Sequence, residues 1–123
     1  LRMIAEIETT AKNAAATLGC NVSMELRPGY PPTLNHESDA LFARDIITEM
    51  LGADGLETSM TPVMGAEDFS FMLEKKPGAY IWLGAGLQSE NLHSPHFDFN
   101  DDLLPIGASF WVQLAQSKLA QST

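Results

Sequence analysis

Residues 27–36 read RPGYPPTLNH. Three prolines and a glycine in ten residues remove backbone donors and restrict φ, so the stretch sustains neither a helix nor a β ladder. It marks a boundary between two folded pieces, and the patterns on either side support that placement. Upstream, Ile4, Ile7, Ala11, Ala14, Ala15 and Leu18 recur at helical spacing with Glu6, Glu8 and Lys12 between them, which predicts an amphipathic helix over residues 2–18. Gly19 stops it, because glycine tolerates the left-handed conformation just past a helix end. Residues 20–26 then alternate, with Cys20, Val22, Met24 and Leu26 on one side and Asn21, Ser23 and Glu25 on the other. That period predicts a half-buried strand. A helix feeding directly into such a strand implies a helix packed on an antiparallel or mixed sheet.

Downstream, Ser38 or Asn35 is placed to cap a second helix running to about Leu51, with Leu41, Phe42, Ile46, Ile47 and Met50 as its apolar face and Gly52 as its stop. Residues 56–62 suit an edge strand. Gly65 precedes an acid-started helix from Glu67 to about Lys75, broken by Pro77 and Gly78. Residues 79–83, AYIWL, are aromatic and β-branched between glycines and predict a buried central strand. Residues 84–102 have no period, and a loop of that length in a small domain is usually functional. The last helix begins near Asp102 or Leu104, accepts Pro105 in its first turn, and presents Gly107, Phe110, Trp111, Leu114 and Leu119 to a core.

The 123 residues are 45% hydrophobic and 19% charged, which excludes a disordered tail, a collagen-like fibre and a disulfide-dense mini-protein. A globular chain of this size makes one domain at most and buries about two-thirds of its unfolded surface, on the order of 13,000 Å². Seven basic against sixteen acidic side chains leave a net charge of −9. Nucleic acid and anionic membrane are therefore poor partners, since both are bound through clustered Lys and Arg. The longest apolar run, residues 79–87, has nine residues, against about 20 for a spanning helix. A single cysteine, Cys20, forms no internal disulfide, so a cytoplasmic location is the default. The opening from Leu1 lacks a secretory layout and reads as a chain entered mid-stream.

The three histidines are His36, His93 and His96. Pro95 lies between the last two, so the helical two-histidine metal logic does not apply, and Cys20 and His36 offer no ligand spacing. On spacing alone these are loop side chains before they are ligands. Glu67 and Asp68 sit at a helix start, where capping explains their charge and a cleft-facing role is the sharper alternative. Gly84 and Gly86 begin a dinucleotide-like pattern that Ser89 breaks, and no Gly-x-Ser-x-Gly elbow occurs.

Three motifs in order, MGAEDFSFM (64–72), GAYIWLGAG (78–86) and LHSPHFDFNDDLLPIGASFW (92–111), resemble the C-terminal end of the metal-dependent amidohydrolases that include hippurate hydrolase, auxin-conjugate hydrolases and N-acyl-amino-acid deacylases. GYPPTLN (29–35) is similar to the hinge between their lid and catalytic domains. The resemblance covers nearly the whole chain but only the last third of a family member. It implies an α/β fold: residues 1–34 as the closing helix and strand of an α+β lid or dimerisation domain, and residues 35–123 as the C-terminal part of a mixed-sheet catalytic domain. In the family the histidine of the Leu-His-Ser-Pro segment is a ligand of a two-metal centre, which makes His93 the metal-ligand candidate, the ions being Zn or Mn. Glu67 and Asp68 line that neighbourhood, and Asn35 is a candidate for substrate contact. His96 carries no ligand role, since the family more often has an aromatic residue or lysine there.

The family's other ligands and its general-base glutamate lie upstream and have no counterparts here. The resemblance thus implies no catalytic residue in this chain, which is expected to be inactive alone as part of a hydrolase of N-acyl amino acids. Its apolar faces are expected to associate, as a homodimer or with a companion segment. The alternative is a non-catalytic binding or assembly module that retains part of this fold.

Overall fold

The computed structural model describes residues 2–121. Among the described residues four α-helices follow one another: α1 (Arg2–Thr17), α2 (Glu37–Leu51), α3 (Phe69–Leu73) and α4 (Leu103–Ala120), with a 3₁₀ turn at Ala53–Gly55 after α2. The helix positions follow the apolar spacing. Gly19 (φ 66°) and Gly52 (φ 76°) take the left-handed backbone just beyond α1 and α2, where a side chain would be strained. The Gly52 N–H donates to the Thr48 carbonyl and closes α2.

The core lies between α2 and α4. Ala43, Ile46 and Phe110 are buried against one another, with Phe42, Ile47, Met50, Ile81 and Leu114 packed around them. Lys118 on α4 lies over the Phe42 ring at 5.1 Å from its centroid, a cation–π contact that joins the far ends of the pair. Gly107 faces Leu83: a Cβ built there would stand 3.7 Å from Leu83 Cδ2, so residues 79–83 run close along α4. The apolar pattern passes over three of the buried apolar residues, Ala43, Leu73 and Leu103.

Three expectations are not met within the described residues. No strand forms among the described residues, so the helix-on-mixed-sheet arrangement is not present within them. A strand exists only as a ladder, and the backbone of residues 20–26 and 79–83 finds no second chain segment to pair with. Residues 20–26 are exposed along their whole length despite their alternation. Second, neither Ser38 nor Asn35 caps α2: the residue at its start is His36, with no side-chain capping bond. The Asn35 amide is engaged elsewhere, as described below. Third, α3 is only five residues long, because Glu67 and Asp68 form a turn ahead of it instead of its first turn.

Among the described residues α1 packs against no other helix, and none of its residues is buried. On α4, Trp111 (64% exposed) and Leu119 (71%) face outward instead of joining the core. The total accessible surface is 10553 Å², whereas a compact chain of this mass would expose about 6,500 Å². The expected two-thirds burial is therefore not reached by this chain alone.

Candidate functional site

The GAEDF turn is built from the inside out. The Ser70 hydroxyl, wholly buried, donates to the Glu67 carbonyl at 2.6 Å, and the Ser70 and Phe71 N–H groups reach the Glu67 and Asp68 carbonyls at 3.2 and 3.0 Å. This leaves the Glu67 carboxylate free to bend over the start of α3. One oxygen accepts the Phe69 N–H at 3.1 Å and the other accepts the Tyr80 hydroxyl at 3.0 Å. The Phe69 and Tyr80 rings lie 5.7 Å apart, and Trp82 meets Tyr80 edge-on at 5.8 Å. From the linker, Tyr30 packs edge-on against Phe71 at 5.7 Å.

These contacts set the proton affinities. The Phe69 N–H, then the Tyr80 hydroxyl, hold the Glu67 carboxyl below the usual glutamate range. Reciprocally, the bond to Glu67 pushes the Tyr80 phenol up, helped by partial burial and by the charges of Glu67 and Asp68. At neutral pH the pair is a neutral phenol donating to a carboxylate.

Asn35 reaches the same cluster from the linker. Its Nδ2 donates to the Tyr80 carbonyl at 2.8 Å, and its Oδ1 accepts the Tyr80 N–H at 2.8 Å. Next to it, the His36 N–H donates to the Gly78 carbonyl at 3.0 Å, and the Gly78 N–H donates to His36 Nδ1 at 3.2 Å. Glu67, Asp68 and Asn35 are thus brought together around Tyr80.

His93 stands on a separate loop and is exposed. The Ser94 N–H donates to the Asn91 carbonyl at 3.0 Å, which makes His93 the third residue of a β-turn, with φ 69°. A second turn follows at once: Phe97 N–H to the Ser94 carbonyl at 3.1 Å, with Pro95 in the position that proline favours. The Ser94 hydroxyl also accepts the His96 N–H at 3.2 Å. Asn100 closes the loop, donating to the Ala85 carbonyl at 3.3 Å and accepting the Asp102 N–H at 3.1 Å just before α4. His93 is the only non-glycine residue with positive φ among those described.

No hydrogen bond joins His93 to the Glu67 cluster among the described residues, nor do three or more His, Cys, Asp or Glu side chains assemble there as a metal-binding group. One imidazole does not make a dinuclear centre, so these residues do not hold such a centre by themselves. Tyr80, Ser94 and Asn100 are the site residues that the sequence reading passed over. Tyr80 carried a signal, because a tyrosine placed in a buried strand needs a partner for its hydroxyl.

The chain matches Peptidase family M20/M25/M40 over residues 3–117. It is 35% identical over 112 residues to IAA-amino acid hydrolase ILR1-like 5 of Arabidopsis thaliana, covering 85% of this chain and 26% of that protein. It is 38% identical over 88 residues to hippurate hydrolase of Campylobacter jejuni, covering 69% of this chain and 22% of the relative. N-acetyldiaminopimelate deacetylase of Streptococcus suis is 33% identical over 101 residues, covering 80% and 26%. The chain therefore spans about a quarter of the length of these curated relatives.

Proposed function

The chain belongs to peptidase family M20/M25/M40, and on that premise we propose that it forms the C-terminal part of a metal-dependent hydrolase that cleaves the amide bond of N-acyl amino acids. Residues 1–34 close the lid or dimerisation domain in this reading, and residues 35–123 complete the catalytic domain, with residues 79–83 pairing into its mixed sheet. The names of the relatives support the substrate class: hippurate, an IAA-amino acid and an N-acetylated diamino acid each carry an acyl group on an amino acid nitrogen.

The observation that carries the reading is the backbone of His93. A left-handed φ is uncommon for a residue with a side chain, and such conformations concentrate at functional sites. Two successive turns hold this imidazole exposed at φ 69°, with no hydrogen-bond partner among the described residues. That suits a side chain meant to contribute one donor to a divalent metal centre completed by the rest of the protein. Zn and Mn both accept imidazole. In this reading Glu67 and Asp68 line the neighbourhood of that centre in the complete protein, with Glu67 held as a carboxylate by Phe69 and Tyr80. Asn35 is the weaker candidate for substrate contact, because both polar atoms of its amide already serve the Tyr80 main chain. The chain works in the cytoplasm in this reading, and no helix among the described residues is long and apolar enough to cross a membrane.

The test compares the 123 residues with a chain extended upstream to the full length of the relatives. Hippurate and related N-acyl amino acids, with Zn or Mn added, should be hydrolysed only by the extended chain. Metal-dependent hydrolysis by the 123 residues alone, or an extended chain that binds no metal and cleaves no acyl amino acid, overturns the proposal.

A further inference from the structure

Asn35 makes a contact that is unusual for a side chain: it pairs with both main-chain groups of one residue, Tyr80, at 2.8 Å each. A carboxamide is the side-chain copy of a peptide group, carrying a donor and an acceptor. Asn35 therefore supplies to Tyr80 the pairing that a neighbouring strand would otherwise give. His36 adds a second rung at Gly78, so two consecutive residues at the start of α2 grip residues 78–80 with four hydrogen bonds. The path continues through the Tyr80 ring to its hydroxyl, from there to Glu67 at 3.0 Å, and from the other Glu67 oxygen to the Phe69 N–H that opens α3.

We propose that Asn35 is a positioning residue, which fixes the Tyr80 main chain and through it sets the Tyr80 hydroxyl against Glu67 and the GAEDF turn. Asn35 is thereby coupled to the acidic turn without touching it. A hydroxyl at the far end of an aromatic ring moves further than the main chain carrying it, so slack at Asn35 is amplified at Glu67. The Phe69 and Trp82 rings flank the Tyr80 ring at 5.7 and 5.8 Å, while the bonds to its main chain come from Asn35. The consequence for catalysis rests on the reading of Glu67 as a cleft residue; the coupling itself does not, so the two fail separately.

The experiment follows the Tyr80 phenol by NMR of the chain labelled with ¹³C at tyrosine Cζ, through an alkaline titration, together with hydrogen exchange of the Tyr80 amide. Asn35→Ala should lower the Tyr80 midpoint toward that seen in Glu67→Gln, and should speed Tyr80 amide exchange roughly 5- to 10-fold, as expected for one lost hydrogen bond. Asn35→Ala combined with Glu67→Gln should move the midpoint no further than Glu67→Gln alone, which is the signature of a shared path. His36→Ala removes a bond of the same grip at Gly78 and should leave the Tyr80 midpoint in place. If Asn35→Ala loses helical circular dichroism, Asn35→Asp decides, since its Oδ1 keeps the bond from the Tyr80 N–H while the bond to the Tyr80 carbonyl is lost, and it should shift the midpoint part of the way. A Tyr80 midpoint unmoved by the Asn35 variants, or moved as far by His36→Ala, overturns the proposal.

Discussion

His93 is held at φ 69° by a turn whose third position ordinarily takes glycine or asparagine. Holding a residue with a Cβ there costs on the order of 1 kcal/mol, and glycine would remove that strain while adding a similar entropy to the unfolded chain. His93→Gly is therefore expected to change folding stability by less than about 1 kcal/mol, while an extended chain carrying it loses metal content, measured by elemental analysis. A ligand role and a packing role separate cleanly in that pair of readings. Glu67 and Tyr80 give a second residue-level prediction. The Glu67 carboxyl is depressed by the Phe69 N–H and the Tyr80 hydroxyl, so its stabilisation is present above the ordinary glutamate range and is lost as pH falls through its lowered value. The Tyr80 phenol is raised, so its share is complete below the ordinary tyrosine value and is lost as pH climbs through the raised one. Tyr80→Phe should flatten the alkaline loss and shift the acid loss upward in pH, as read from denaturant midpoints. Glu67 and Asp68 were visible in the sequence as an acidic pair; that Tyr80 answers them was not, because 13 residues separate the partners.

At the scale of elements, α1, α2 and α4 follow from apolar spacing and glycine stops, since both signals are local. Caps and strands did not follow. Asn35 was available to cap α2 by its residue type, yet its amide is taken by Tyr80, 45 residues away, and a local preference loses to a two-bond tertiary contact. Residues 79–83 have strand composition and no ladder, for want of a partner backbone. The α4 glycine offers a direct check. The Cβ of Gly107→Ala would meet Leu83 Cδ2 at 3.7 Å, an ordinary contact, inside a helix where glycine is disfavoured. Gly107→Ala should raise stability by about 0.5–1 kcal/mol, measured by urea unfolding; a loss would show that the approach of residues 79–83 to α4 is tighter than its geometry indicates.

For the whole molecule, 10553 Å² of accessible surface exceeds the roughly 6,500 Å² of a compact chain of this mass by about 4,000 Å². Large apolar side chains contribute to it along the chain, from Leu18 (78% exposed) to Leu87 and Trp111. Surface of that kind drives association. The isolated chain is expected to form dimers or larger species and to bind a hydrophobic dye, and addition of the upstream segment should suppress both. Light scattering checks it, and a cooperative monomer without dye binding would contradict it. The same excess explains why composition misled about burial. Forty-five per cent hydrophobic residues suffice for a core, but only if the faces they form can meet one another, and among the described residues α1 meets no other helix.

The order of residues by itself determined the long helices, the glycine stops, the proline-rich boundary and the motifs by which the chain joins its family, because each depends on neighbours within a few positions. Only the tertiary structure decided that Asn35 grips Tyr80, that Tyr80 answers Glu67, and that the strand-like segments lack ladders. Those outcomes turn on which groups across 13 to 45 residues the fold brings within hydrogen-bonding distance, and on whether a partner backbone is there to be reached at all.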